Sequence, residues 1–228
     1  MTPEIPFRRN AVEPVSCIKG GWEIIKDQYW LFFGMTLVGI LIGGAVPIIL
    51  MGPMMCGLNL AFLKSRRGEP IEFGTLFKGF DYFGQSVIAA VLHTIPVIVI
   101  VVPAYILFYV FMFVGIAASS SSGEPNPAAL FGVMAGFGLF WLVVVAIIII
   151  ISIGFIFVYP LIVDRKLSAI DAIKLSFRAA LSNFWRLLGM VLLTSLMGAV
   201  GVLACYIGAF LVMPISYAAI AKAYEQVF

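Results

Sequence analysis

Four long stretches of this chain contain no Asp, Glu, Lys or Arg: residues 31–63, 82–123, 125–163 and 187–221. A helix that crosses a bilayer needs only about 20 predominantly apolar residues, so each stretch can cross at least once. Hydrophobic residues make up 63% of the chain, more than a soluble core of this size can bury. The sequence therefore predicts an all-α, polytopic membrane protein. The apolar runs do not alternate with polar residues, which excludes an outer-membrane barrel.

The basic residues indicate an orientation. All fourteen Lys and Arg residues lie outside the four stretches, and none lies in the Ser-rich segment 119–127. Basic loops are retained in the cytoplasm. We therefore expect both termini to be cytoplasmic and the loop 119–127 to be external.

We predict about six membrane segments within a single domain, 1–228. The prediction uses the length of each charge-free stretch and the side of the membrane on which its two ends lie. The first stretch would form a straight helix of about 50 Å in a core of about 30 Å, so the first and last stretches must fold back as hairpins. Helix-interrupting residues mark both breaks: Pro47, Gly52 and Pro53, and Gly201, Gly208 and Pro214. The central spans, 84–117 and 127–163, cross once each. An eight-segment version, in which these also fold back, remains open, as does whether the short hairpin arms span fully.

The chain repeats itself at an offset of 155 residues. "DQYWLFFGMTL" at 27–37 matches "SNFWRLLGMVL" at 182–192 in a polar pair, two aromatics and Gly-Met. The identities are Ile18/Ile173, Lys19/Lys174, Trp30/Trp185, Gly34/Gly189, Met35/Met190, Leu37/Leu192, Leu41/Leu196 and Gly43/Gly198. We infer a parallel internal repeat with halves 12–65 and 167–225.

Three segments have the periodicity of amphipathic helices, which we expect to lie at the inner membrane interface as a basic collar. Their apolar stripes are Val12, Val15, Ile18, Trp22, Ile25 and Tyr29; Ile170, Ile173, Phe177, Leu181 and Phe184; and Phe73, Leu76, Phe77, Phe80 and Phe83. We expect interfacial anchors at Trp22, Tyr29, Trp30, Phe177, Phe184 and Trp185. Contacts with anionic lipids are expected at Lys19, Lys26, Arg66, Arg67, Lys174, Arg178 and Arg186.

Residues with chemical capacity are scarce in the spans. His93, Asn59 and Ser216 are the polar residues within the spans that are candidates for a functional role. Each could instead have a structural role, as a side chain that forms a hydrogen bond with a carbonyl or with a neighbouring helix. A single histidine without a carboxylate partner disfavours a zinc site. Cys17, Cys56 and Cys205 show no paired spacing and are expected to be packing residues. We expect no catalytic residue, metal or cofactor.

Three sequence patterns resemble those of a known group. "AI..S......NFW" at 172–185 precedes a span, a Gly-rich break and "P....A.A..Y" at 214–224, and "GW..IK..YW" occupies 21–30. The chain thus resembles a family of poorly characterised bacterial multi-spanning inner-membrane proteins. It is also similar to the membrane domain beside some glycerophosphoryl diester phosphodiesterases. The resemblance implies a helical module in the bacterial inner membrane; the phosphodiesterase catalytic domain is absent, so that activity is not implied.

Two functions fit these features. The first is a non-catalytic membrane module that binds lipid or a partner protein, as an accessory or scaffold subunit of a membrane complex. The alternative is a permease for an apolar or amphipathic compound. The expected partners are membrane lipids, including anionic ones, with a membrane protein or a second copy of the chain as further options and no nucleic acid.

Cysteine labelling tests the orientation. A Ser120→Cys variant should react with a membrane-impermeant thiol reagent added outside intact cells, because the loop 119–127 is expected to be external. Ser65→Cys and Ser168→Cys should react only after permeabilisation. The reverse pattern of labelling would contradict the predicted topology.

Overall fold

The computed structural model describes residues 5–121, 127–203 and 207–228, and these residues form helices without a strand. The α-helices are α1 Pro14–Ile25, α2 Tyr29–Ala45, α3 Pro47–Arg66, α4 Phe83–Ser121, α5 Pro127–Phe155, α6 Val158–Arg165, α7 Ala169–Ser182, α8 Phe184–Leu203 and α9 Ile207–Val227. Two 3-10 helices, η1 Lys26–Gln28 and η2 Phe73–Tyr82, precede α2 and α4. The predicted all-α class is confirmed.

Five helical stretches are long and apolar enough to cross a membrane: Pro14–Ala45, Pro47–Arg66, Phe73–Gly115, Met134–Arg165 and Phe184–Leu203. They confirm a polytopic membrane protein. The last helix, α9, is not among the five, so the count of six remains a prediction.

The two central spans are continuous helices over most of their length. Helix α4 continues through Pro96 and Pro103, and α5 is uninterrupted up to Phe155. Neither helix folds back on itself, which argues against the eight-segment version. The predicted external loop 119–127 falls largely on residues 122–126, which lie outside the described residues.

The chain divides into two compact units. One comprises Met1–Val91 and Ile153–Phe228, and the other comprises Leu92–Ser152. Both repeat-like halves belong to the first unit. The second contains most of α4 and α5, and its large apolar side chains are mostly exposed, as expected of helices that face lipid.

Each repeat-like half contains a hairpin. Helices α2 and α3 meet at Val46, directly before Pro47, which takes the first helical position of α3. Helices α8 and α9 pack together where Gly201 meets Gly208: a Cβ on Gly201 would lie 2.7 Å from the carbonyl oxygen of Gly208. Residues 204–206, between Leu203 at the end of α8 and Ile207 at the start of α9, lie outside the described residues, and they include the predicted packing residue Cys205.

Both halves contribute to one core in the first unit. The rings of Phe32 and Phe62 stack across α2 and α3, with centroids 4.9 Å apart and planes 6° from parallel. Ala218 and Ala221 of α9 join this cluster, as do Ile25 of α1 and other buried residues of α2, α3 and η2. The core therefore joins the first hairpin to the last helix.

Helix α3 and η2 approach each other backbone to backbone. A Cβ on Gly57 would overlap the carbonyl oxygen of Leu76, and one on Gly79 would overlap the carbonyl oxygen of Pro53. A Cβ on Gly52 would clash with the carbonyl oxygen of Ser86 at the start of α4. Only glycine permits two backbones to come this close, so residues 52–58, "GPMMCGL", form a packing surface.

Replacing a contact glycine should destabilise the fold. We expect Gly79→Ala to lower the free energy of unfolding by about 1–3 kcal/mol, because the new methyl group must displace the backbone of α3. Gly74→Ala is the matched control in the same helix, since a Cβ there meets no atom within 4 Å. Thermal unfolding in detergent, followed by circular dichroism, measures both; equal midpoints for the two variants would contradict the packing described.

Candidate functional site

The two junctions between interfacial helix and span have the same geometry. Gln28 and Asn183, 155 residues apart, interrupt the helix with φ/ψ of −129°/34° and −121°/17°. The rings of Tyr29 and Trp30 lie 5.5 Å apart at 75°, and the rings of Phe184 and Trp185 have the same separation and angle. The repeat predicted from sequence therefore extends to side-chain arrangement.

The matched tryptophans of the two junctions are both exposed. Trp30 is 73% exposed and Trp185 is 80% exposed. Amphipathic aromatic rings are enriched at the level of lipid headgroups. Both side chains are thus accessible to lipid, as interfacial anchors must be. Tyr29 differs, because its hydroxyl donates a hydrogen bond to the Leu211 carbonyl at 2.7 Å.

The buried rows of the interfacial helices α1 and α7 consist mainly of small residues. The buried rows contain Cys17, Gly21 and Ile25 in α1, and Ala172, Ser176 and Ala180 in α7, and they match one to one at the offset of 155. The predicted apolar stripes are only partly exposed: Val15, Trp22, Ile170 and Leu181 are 45–62% exposed, whereas Val12 and Ile25 are fully buried and the other members are half-buried. Only the four exposed members face away from the protein, where lipid would cover them.

The matched buried positions contact different partners. In α1, a Cβ on Gly21 would lie 2.7 Å from the backbone nitrogen of Ala219 in α9. In α7, the hydroxyl of Ser176 donates to the Gly154 carbonyl at 2.6 Å and accepts from the Phe157 N–H at 3.2 Å. Ser176 thereby satisfies backbone groups at the break between α5 and α6.

This difference changes the surroundings of the neighbouring aromatic residue. Phe177 packs against Gly154, where a Cβ would lie 2.5 Å from its ring, and meets the Phe155 ring edge-on at 5.3 Å. Its counterpart Trp22 is 45% exposed. Part of the Phe177 ring, a predicted interfacial anchor, thus contacts protein instead of lipid.

The third interfacial segment, η2, exposes a row of aromatic rings. Phe77, Phe80 and Phe83 are spaced by three residues and exposed, while Leu76 and Gly79 are buried. A 3-10 helix aligns residues i and i+3, so Leu76 lies in the buried row with Gly79, about a third of a turn from Phe77, with which the sequence analysis grouped it.

The predicted lipid-contacting cations fall into two groups. Arg66 pairs with Glu225, and Arg67 pairs with Asp164. The others are exposed and form no ion pair with a carboxylate in residues 5–121, 127–203 and 207–228: Lys19, Lys26, Lys174, Arg178 and Arg186. Lys19, Lys26, Lys174 and Arg178 therefore remain available to external anions, whereas Arg186 also donates a hydrogen bond to the Val12 carbonyl at 3.3 Å.

The paired group forms a charge cluster that joins the ends of α3, α6 and α9. Asp164, whose side chain is 13% exposed, also contacts Arg165 at 3.3 Å and accepts a hydrogen bond from the Tyr224 hydroxyl at 2.8 Å. Burial and this bond raise the pKa of Tyr224, which keeps the hydroxyl protonated as a donor. The cluster fastens three elements rather than presenting free charge.

Asn183, part of the "NFW" motif, connects the N-terminal segment to the second junction. Its side chain is 1% exposed, accepts from the Ala11 N–H at 2.8 Å and donates to the Arg8 and Ala179 carbonyls at 3.1 and 2.9 Å. This explains structurally a polar residue that the sequence leaves without a role.

Each of the two intramembrane polar candidates in the first unit bonds within its own helix. Asn59 donates to the Met55 carbonyl at 2.8 Å, and Ser216 donates to the Val212 carbonyl at 3.2 Å, each within its own helix. His93 is half-buried in α4 and belongs to the second unit. Among the described residues, no group of three His, Cys, Asp or Glu side chains could hold a metal ion.

Cavities occur in both units. The second unit has an apolar groove of about 540 Å³ between α4 and α5, lined by Leu107, Phe108, Phe111, Gly132, Gly136, Phe137 and Phe140. The first unit has a polar cleft of about 500 Å³ beside Glu23, Asp27, Arg66, Glu69 and Lys222. It also has a smaller crevice among α1, α8 and α9.

No protein family, curated protein or solved structure matches this chain.

The charge cluster predicts a stability effect. Asp164→Asn should lower the free energy of unfolding by about 1 kcal/mol, because it removes the anion that Arg67 and Arg165 contact, while solvent screens part of the loss. Asp81→Asn is the control, since Asp81 is exposed and forms no ion pair with the described residues. Chemical unfolding in mixed micelles compares the two; an unchanged Asp164→Asn protein would show that the cluster does not fasten the helices.

Proposed function

We propose that this protein is a non-catalytic integral membrane module that binds membrane lipids or a partner protein, as an accessory or scaffold subunit of a membrane complex. The observation that carries the proposal is the pair of matched junctions. Each exposes a tryptophan beside an interfacial helix that also exposes cations and two of its large apolar residues.

Electrostatics support lipid binding. Each Lys or Arg near an anionic membrane surface contributes about 1 kcal/mol of attraction, and five predicted contacts carry no internal ion pair with the described residues. We place the basic side in the cytoplasm and the protein in the bacterial inner membrane, on the strength of the charge distribution and of the resemblance noted from sequence.

The hydrogen bonds of Asn59 and Ser216 within the hairpins support a non-catalytic role. The Asn59 amide and the Ser216 hydroxyl each donate a hydrogen bond to a carbonyl of their own helix, which is a structural use of a polar side chain. The alternative, a permease for an apolar or amphipathic compound, is favoured by the groove between α4 and α5.

Native mass spectrometry and flux measurements separate the two functions. The purified chain should retain lipid, or a partner protein, in stoichiometric amount under native conditions. Liposomes that contain the protein alone should not transport amphipathic dyes faster than empty liposomes. Protein-dependent flux would favour the permease and overturn the module.

Charge removal tests the lipid surface. The double variant Lys174→Gln/Arg178→Gln should bind phosphatidylglycerol more weakly, by roughly fivefold or more, because both cations are exposed and unpaired within the described residues. Arg66→Gln/Arg67→Gln removes the same charge from paired residues and should have a smaller effect. Titration of the micellar protein with phosphatidylglycerol measures both; equal losses would contradict a surface formed by the unpaired cations.

A further inference from the structure

The crevice among α1, α8 and α9 has a volume of about 400 Å³, within the roughly 300–1,000 Å³ of small-molecule sites. Its lining residues are Ile18, Lys19, Trp22, Glu23, Met197 and Ile215. Ile18, Met197 and Ile215 are half-buried, and Trp22 is 45% exposed. The crevice is therefore an apolar slot with one aromatic side chain and two charges on the same helix.

The two charges are arranged as a separated pair. Lys19 and Glu23 are both exposed and lie one helical turn apart, which places their Cβ atoms about 5–6 Å from each other. They form no ion pair with each other or with any other described residue. A cation and an anion at this spacing match a molecule that carries both charges on a short headgroup.

We propose that this crevice binds one zwitterionic phospholipid whose headgroup carries a primary amine. Lys19 pairs with the lipid phosphate, Glu23 accepts hydrogen bonds from the lipid ammonium, and an acyl chain lies along Met197 and Ile215 beneath Trp22. The inference rests on the proposed lipid-binding function and names the ligand of one site within it.

Charge complementarity selects this headgroup over the common alternatives. A glycerol headgroup supplies no cation for Glu23, so an anionic lipid would place a net negative charge beside a carboxylate. A choline headgroup carries a quaternary ammonium without N–H donors, and it forfeits the charge-assisted hydrogen bond that a primary ammonium makes to a carboxylate. The order of affinity is therefore ethanolamine, then choline, then glycerol.

The second half of the repeat supplies a comparison within the same chain. Lys174 and Arg178 occupy the positions that match Lys19 and Glu23, so the zwitterionic pair becomes a dication. Phe177, the counterpart of Trp22, packs on Gly154 and Phe155. The second copy thus has the charge for an anionic surface and uses its aromatic residue for protein contacts.

Headgroup competition under native mass spectrometry tests the proposal. The full chain in micelles is titrated with phosphatidylethanolamine, phosphatidylcholine and phosphatidylglycerol of identical acyl chains. The wild-type protein should retain one phosphatidylethanolamine in preference to the other two. Glu23→Arg, which gives the first copy the charges of the second, should lower the ratio of phosphatidylethanolamine to phosphatidylglycerol affinity by about fivefold or more.

Two further variants separate the crevice from general electrostatics. Arg178→Glu makes the opposite charge change at the matched position and should create no phosphatidylethanolamine preference there. Ile215→Trp fills the slot without changing charge and should abolish retention of the lipid. Glu23→Gln removes the same carboxylate charge by a more conservative change, in case Glu23→Arg does not fold. An affinity ratio unmoved by both Glu23 variants, or moved equally by Arg178→Glu, would overturn the proposal. A wild-type protein that retains no lipid of any kind would instead overturn the underlying lipid-binding function.

Discussion

Close backbone contact through glycine and alanine is the interaction on which this fold depends. Lipid tails are as apolar as leucine, so helices within a bilayer gain little from burying large side chains against each other and associate through close packing instead. Gly57 and Gly79 bring η2 onto α3, Gly21 brings α1 onto α9, and Gly201 meets Gly208 within the second hairpin. Each contact positions an element that carries exposed aromatic residues or cations.

This mode of packing explains the surface. Small residues make up most of the inner rows of α1 and α7, while Val15, Trp22, Ile170 and Leu181 remain exposed, and a similar division occurs in η2 between Gly79 and the exposed phenylalanines. An interfacial helix that packs through its small face can offer its large face to lipid. The structural contact and the proposed lipid contact therefore use opposite sides of the same elements.

The two copies of the repeat share the same junction geometry, but their interfacial helices contact different parts of the protein. The junctions at Gln28 and Asn183 keep the same backbone break and the same ring geometry. The helices before them differ in what they touch, because Gly21 admits the backbone of α9 whereas the Ser176 hydroxyl bonds the backbone at the α5–α6 break. A change from glycine to serine at one matched position thus accompanies a change of partner.

The sequence by itself determined the membrane class, the repeat and the positions of both junctions, because charge-free length and matched aromatic pairs are local properties of the chain. The tertiary structure decided which face of each interfacial helix is buried, since small residues such as Gly21 and Ala172 contribute little to a hydrophobic pattern. It also decided that Arg66 and Arg67 form ion pairs, because their carboxylate partners Glu225 and Asp164 lie far along the chain. Which charges remain free for a lipid depends on contacts between distant segments, and periodicity carries no information about them.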